Sequence, residues 1–211
     1  IIVVATPLTR IIGDFTAPVV DSTLLKIGQV LIASANSNPI TMGIILGGII
    51  TVVATAPLSS MALTAMLGLT GAPMAIGALS VFGSSFLNFV LFQKMKFGSK
   101  KDTISVAIEP LTQADIITAN PIPIYVTNFI GGALCGIIIV LMGLTNMSPG
   151  TATPIAGFAV MFAYNPAFKV LMASLACVVV SAGSGYLGYL LFKNYKIHTV
   201  DEIRGNDLEV E

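Results

Sequence analysis

Between Thr103 and Phe192 the chain carries two acidic side chains, Glu109 and Asp115. Both fall in one stretch, TISVAIEPLTQADIITANPIPIY (103–125), which is otherwise largely apolar and is interrupted by Pro110, Pro121 and Pro123. A charged group at membrane depth costs about 3 kcal/mol or more unless it faces a cavity or a partner, so it is read first as a site. Thr112, Gln113, Thr118, Asn120 and Asn128 lie close by in sequence, and Asn165 follows further on. Carboxylates and amides are the groups that grip hydroxyl-rich solutes, because a carboxylate accepts two neighbouring hydroxyl protons and an amide both donates and accepts. The candidate substrate-binding set is therefore Glu109, Thr112, Gln113, Asp115, Asn120 and Asn165, with Pro110 and Pro121 as structural breaks. A carboxylate that binds a cation or carries a proton has the same appearance. So does the plainer alternative, an extramembrane loop with both carboxylates hydrated.

The surroundings exclude several other chemistries. The one histidine, His198, stands in a polar tail and reads as a solvated surface residue. No nucleophile–base pair, P-loop spacing or metal-ligand cluster is present, so the chain is expected to hold no metal or cofactor and to catalyse nothing by itself. Cys135 and Cys177 each sit in an apolar run and read as small core fillers. Ten basic residues balance ten acidic ones, and no basic tract is interleaved with aromatics, so a nucleic-acid partner is not expected.

The elements that must position these residues are membrane helices. With 55% hydrophobic residues, 9% charged and a mean hydropathy of +0.92, the chain has too little polar surface to coat a soluble globule. The expected fold is all-α, a polytopic helical membrane protein with broken helices and re-entrant hairpins. The chain opens IIVVATP without Met or a signal-peptide pattern, and residues 1–198 read as a membrane domain whose first spans are missing. Within it, 9–35 reads as an amphipathic surface region, with Val20, Leu24, Ile27 and Leu31 on one face and Asp21, Ser22, Lys26 and Gln29 on the other. Residues 199–211 read as a polar, mobile cytoplasmic tail.

Three Asn-Pro pairs, at 38–39, 120–121 and 165–166, mark helix starts, because Asn caps well and Pro suits the first helical position. Apolar runs follow at 40–69, broken at Pro57 beside Ser59 and Ser60, then at 73–92, 122–144 and 167–192. Two lysine-rich segments, QKMKFGSKKD (93–102) and KNYKIH (193–198), should both face the cytoplasm. They agree when an even number of crossings separates them. Two full spans with two hairpins, at 103–120 and 148–165, satisfy that condition, and so do four spans.

The order of lysine loop, then IEP, then ANPIPIYVTNFIGGALCG resembles the core of enzyme IIC, the sugar-specific membrane subunit of the bacterial phosphotransferase system. NPITMGIILGG and SPGTATPIAGFAVM extend the similarity over nearly the whole chain, toward the branch that includes the perfringolysin regulator-like proteins. The resemblance implies a homodimer in the lipid bilayer of the bacterial cytoplasmic membrane. It also implies a sugar bound between a scaffold and a moving domain, and a separate IIB protein that phosphorylates it. Glu109 then corresponds to the Glu of the family's Glu-Pro motif, Pro110 holds the hairpin, and Asn120-Pro121 matches the following helix start. Ala107 and Ile108 differ from the Gly-Ile-Thr that many sugar carriers have before this Glu, which leaves the substrate open. Two other readings fit the residues: a proton-coupled transporter of another small solute, and a membrane ligand sensor or regulator.

Overall fold

A computed structural model describes residues 22–23 and 25–205. Residues 1–21, Leu24 and 206–211 lie outside it, and with them the expected end of a preceding span, most of the surface region at 9–35 and the last part of the tail. The described chain is helical: α1 Leu25–Ala35, α2 Pro39–Thr55, α3 Ser60–Met66, α4 Ala72–Met95, α5 Lys100–Ile108, a 3₁₀ turn Pro110–Gln113, α6 Ala114–Ala119, α7 Pro121–Leu141, α8 Pro154–Met161, α9 Ala167–Phe192 and α10 Val200–Arg204. Three of these, α4, α7 and α9, are long and apolar enough to cross a bilayer. The chain is a multi-pass membrane protein.

The three Asn-Pro pairs do open helices, each by a different device. Asn38 is a side-chain cap, its Oδ1 accepting from the Thr41 amide at 2.9 Å. Asn120 makes no such bond, and its amide turns instead to the backbone of His198. Asn165 bridges Thr145, with its Oδ1 accepting from the Thr145 amide and its Nδ2 donating to the Thr145 carbonyl, so α9 begins one residue later, after Pro166.

Helix α4 is the hub, packed by α2, α5, α7, α8 and α9. The closest approach is between α2 and α7, which meet through two G-x-x-x-G sequences, Gly43/Gly47 and Gly132/Gly136. A methyl group at Gly47 would collide with the Gly132 carbonyl, and one at Gly136 with the Gly43 carbonyl. In lipid the hydrophobic effect does not drive helices together, so backbone contact through small residues and polar links across the interface carry the association. Elsewhere Gly83 lies against Cys177 and Ser181, while Gly185 lies against Leu87 and Val90, so α4 and α9 run in the same direction. Gly131 meets Ser184 and Gly188 meets Thr127, so α7 runs the opposite way. Lys94 and Lys96 at the end of α4, and Lys193 and Lys196 after α9, therefore share one end of the bundle.

A fully buried amide pair crosses the centre. Asn128 Nδ2 donates to Asn88 Oδ1 at 2.8 Å, and Thr55 Oγ1 lies 3.1 Å from Asn128 Oδ1. These bonds tie α2, α4 and α7 together at the level where α2 ends. Asn128→Ala takes the donor from the buried Asn88 Oδ1, while Thr55 keeps its bond to the Thr51 carbonyl, and should cost about 1–3 kcal/mol. Thermal unfolding in detergent micelles against the parent chain measures it, and an unchanged midpoint would mean water replaces the amide.

Two chain reversals flank α7. From the lysine end, α5 rises, breaks at Glu109 and returns through α6, so that Asp102 and Asp115 reach the same guanidinium. From the other end the chain leaves the Gly71–Asn146 bridge, advances to Ala152 and returns as α8, where Tyr164 meets Ser148. Thr199 to Arg204, expected to be mobile, instead forms α10 and docks. Val200 is buried among Phe97, Val106, Ile116 and Ile117, and its amide donates to the Phe97 carbonyl at 2.8 Å.

Candidate functional site

Two helices, α2 and α5, end at an X-Pro step and a third, α8, begins at one, and the three steps lie around one cleft. The proline ring disfavours helical backbone in the residue before it. Ala56 (φ −66°, ψ 159°), Glu109 (φ −148°, ψ 105°) and Thr153 (φ −135°, ψ 157°), preceding Pro57, Pro110 and Pro154, are accordingly all extended. Around them lies a cleft of about 80 Å³, lined by Ala54, Ser59, Ser60, Val81, Glu109 and Thr153 among others. Val81 sits near the midpoint of α4, so the cleft is level with the middle of a spanning helix.

Among the described residues Glu109 is the one carboxylate lining this cleft. No hydrogen-bond donor or counter-charge among the described residues touches its side chain, while its carbonyl is held by the Thr112 hydroxyl at 2.8 Å. The hydroxyls beside it are partly committed. Ser59 caps α3 by accepting from the Ala62 amide, Ser60 donates to the Ala152 carbonyl at 2.8 Å, and Thr153 accepts from the Gly157 amide. The arrangement offers one unpartnered acceptor group edged by hydroxyls in an apolar wall. That set can hydrogen-bond an alcohol, hold a cation or take up a proton.

The other sequence candidates lie elsewhere. Asp115 and Gln113 face Arg204: Nε donates to Asp115 Oδ2 at 2.7 Å, and Nη2 to Asp115 Oδ1 at 3.0 Å and Gln113 Oε1 at 2.8 Å. Nη1 reaches Asp102 Oδ1 at 3.1 Å. Asn120 exchanges two bonds with the backbone of His198, at 2.7 and 2.8 Å. Asn165 is at the opposite end on Thr145. Of the eight residues singled out, Glu109 and Pro110 line the cleft, Thr112 braces Glu109, and the rest fix the elements around it.

The charges at the lysine end are settled by these contacts. The Arg204 bonds pull the Asp115 carboxyl below the usual carboxylate range, with the Ile116 amide assisting and burial opposing. For Asp102, burial pushes upward, but the Ser99 hydroxyl and amide together with Arg204 outweigh it, leaving the carboxyl lowered. Asp115 and then Asp102 hold the Arg204 guanidinium above its ordinary value. Among the described residues no group of His, Cys, Asp and Glu is placed to hold a metal ion.

Sequence reasoning noted Ser59 and Ser60 only as helix-break residues and passed over Thr153. Their signal was close to the one Glu109 carries, a polar residue within three positions of a proline inside an apolar run. No curated protein and no solved structure matches the chain. A family model described as "Phosphotransferase system, EIIC" matches residues 1–208. With a membrane bundle, a carboxylate cleft at mid-depth and a family match over nearly its whole length, the chain belongs to the EIIC family, the membrane sugar-permease component of the phosphotransferase system.

Proposed function

We propose that this chain binds a sugar through Glu109 and passes it across the bacterial cytoplasmic membrane to a separate IIB protein that phosphorylates it. The observation that carries the reading is the unpartnered Glu109 carboxylate at the meeting point of three proline-broken segments. Broken helices that face one another at mid-depth are how transporters place polar groups where backbone must be satisfied without water. On this reading the two reversals are re-entrant hairpins that approach the cleft from opposite faces. The lysine-rich end and the C-terminal segment are cytoplasmic. On the same reading, which the order of segments supports, the chain is of the perfringolysin regulator-like branch and acts as a homodimer in the bilayer.

A cleft of about 80 Å³ is well below the ~300 Å³ at which ligand pockets begin, so this conformation is closed and the hairpins must part to admit a hexose. Uptake of labelled hexoses and hexitols into vesicles holding the full-length protein, with and without the soluble phosphoryl-transfer components, tests the reading. Accumulation of sugar phosphate only with those components is the expected result. Uptake driven by a pH gradient without them would replace it with proton-coupled transport, and saturable binding without flux would replace it with sensing.

A further inference from the structure

Arg204 bonds to residues on both sides of the break at Glu109. Asp102 belongs to α5, before the break, while Gln113 and Asp115 belong to the return arm after it. Glu109 itself has extended backbone and, among the described residues, no hydrogen bond or ion pair on its side chain, so the local ties across the break are the Thr112 hydroxyl and amide on its carbonyl and the packing of α5 on the 3₁₀ turn. Guanidinium geometry suits the task. Its donors lie in one rigid plane, and here they are spread over three side chains in a single fork. The donor itself is anchored from behind. Val200 is packed into the core beneath α5 and α6, and Asn120 pins the backbone of His198 by two bonds.

We infer that Arg204 is a positioning residue for Glu109, with the segment from His198 to Arg204 acting as a strap that sets the angle of the α5–α6 hairpin and so the place of the carboxylate in the cleft. The inference deepens the reading of Glu109 as substrate ligand and rests on it for its importance, but the strap can be tested without any sugar. A merely structural role, holding the C-terminal segment to the bundle, would leave the hairpin tip as it is when the guanidinium is removed.

The test uses the full chain in detergent and a thiol-reactive maleimide. The native Cys135 and Cys177 are buried, so a single new cysteine dominates labelling. Leu111→Cys reports the hairpin tip beside Glu109, and Ile203→Cys reports the strap. Arg204→Ala should speed labelling of Leu111→Cys about fivefold or more, Arg204→Lys should fall between, and Asp115→Asn should add little to Arg204→Ala because both remove the same contact. Faster labelling at Ile203→Cys with an unchanged rate at Leu111→Cys would overturn the inference, as would an unchanged rate at both. Altered labelling at Leu111→Cys in a protein that binds no labelled hexose would keep the strap and discard the sugar reading.

Discussion

Glu109→Gln should abolish measurable binding of the transported sugar while leaving the melting temperature where it was. The two halves of that expectation come from one observation, the carboxylate's lack of any partner among the described residues. Removing an unpartnered surface-lining charge changes stability by no more than about 0.5 kcal/mol. Gln keeps one accepting oxygen but loses the charge and presents a donor where the second oxygen was, giving up two charge-assisted hydrogen bonds to sugar hydroxyls of about 1.5–3 kcal/mol each, a ~100-fold weakening in Kd. Equilibrium dialysis with the labelled sugar found in the uptake assay, beside a thermal melt of the same preparation, reads both numbers. Binding within threefold of the parent would remove Glu109 from the site.

The second large effect is structural. Gly47→Ala or Gly136→Ala forces a methyl group into a facing carbonyl, and backbone cannot step aside as a side-chain tip can. Overpacking of this kind costs about 1–3 kcal/mol and often more, and here both helices would have to separate along their whole contact. Gly183→Ala is the matched control, since a methyl there meets nothing within 4 Å and gains helix propensity of about 0.5–1 kcal/mol. Melting curves in detergent should show a fall of several degrees for the first two and no fall for the third. Equal melting of all three would show that α2 and α7 are not in backbone contact.

The same glycines show where sequence stops being informative. Gly131, Gly132 and Gly136 could be recognised as a small-residue face, but a sequence does not say whether such a face meets the same chain or a second copy. The structure brings Gly132 and Gly136 onto α2. Helix starts were legible because Asn-Pro acts locally, and so were the break at Pro57 and the lengths of α4, α7 and α9. What Asn120 and Asn165 do after starting a helix was not legible, since a cap and a long-range amide pair use the same side chain.

The sequence singled out Glu109 because carboxylates in an apolar stretch are rare and this one precedes a proline. It put Asp115 and Gln113 in the same candidate set, because their common partner lies 89 and 91 residues downstream, in a segment with the composition of a loose tail. A long-range ion pair leaves no periodicity. The one available hint was weak: a carboxylate near the lysine end of a bundle invites a cation, and Arg204, like Lys169, was a basic residue without an assigned role.

That separation also has a consequence in time. Ribosomes add roughly 5–20 residues each second, so the 89 residues between Asp115 and Arg204 take roughly 4–18 s to make. For that interval the hairpin carrying Glu109 exists without its clamp, held by its packing on α4, by the Ser99 cap, by Pro110 and by Thr112. The cleft is therefore among the last parts of the described protein to take its final shape, and it does so when α10 arrives.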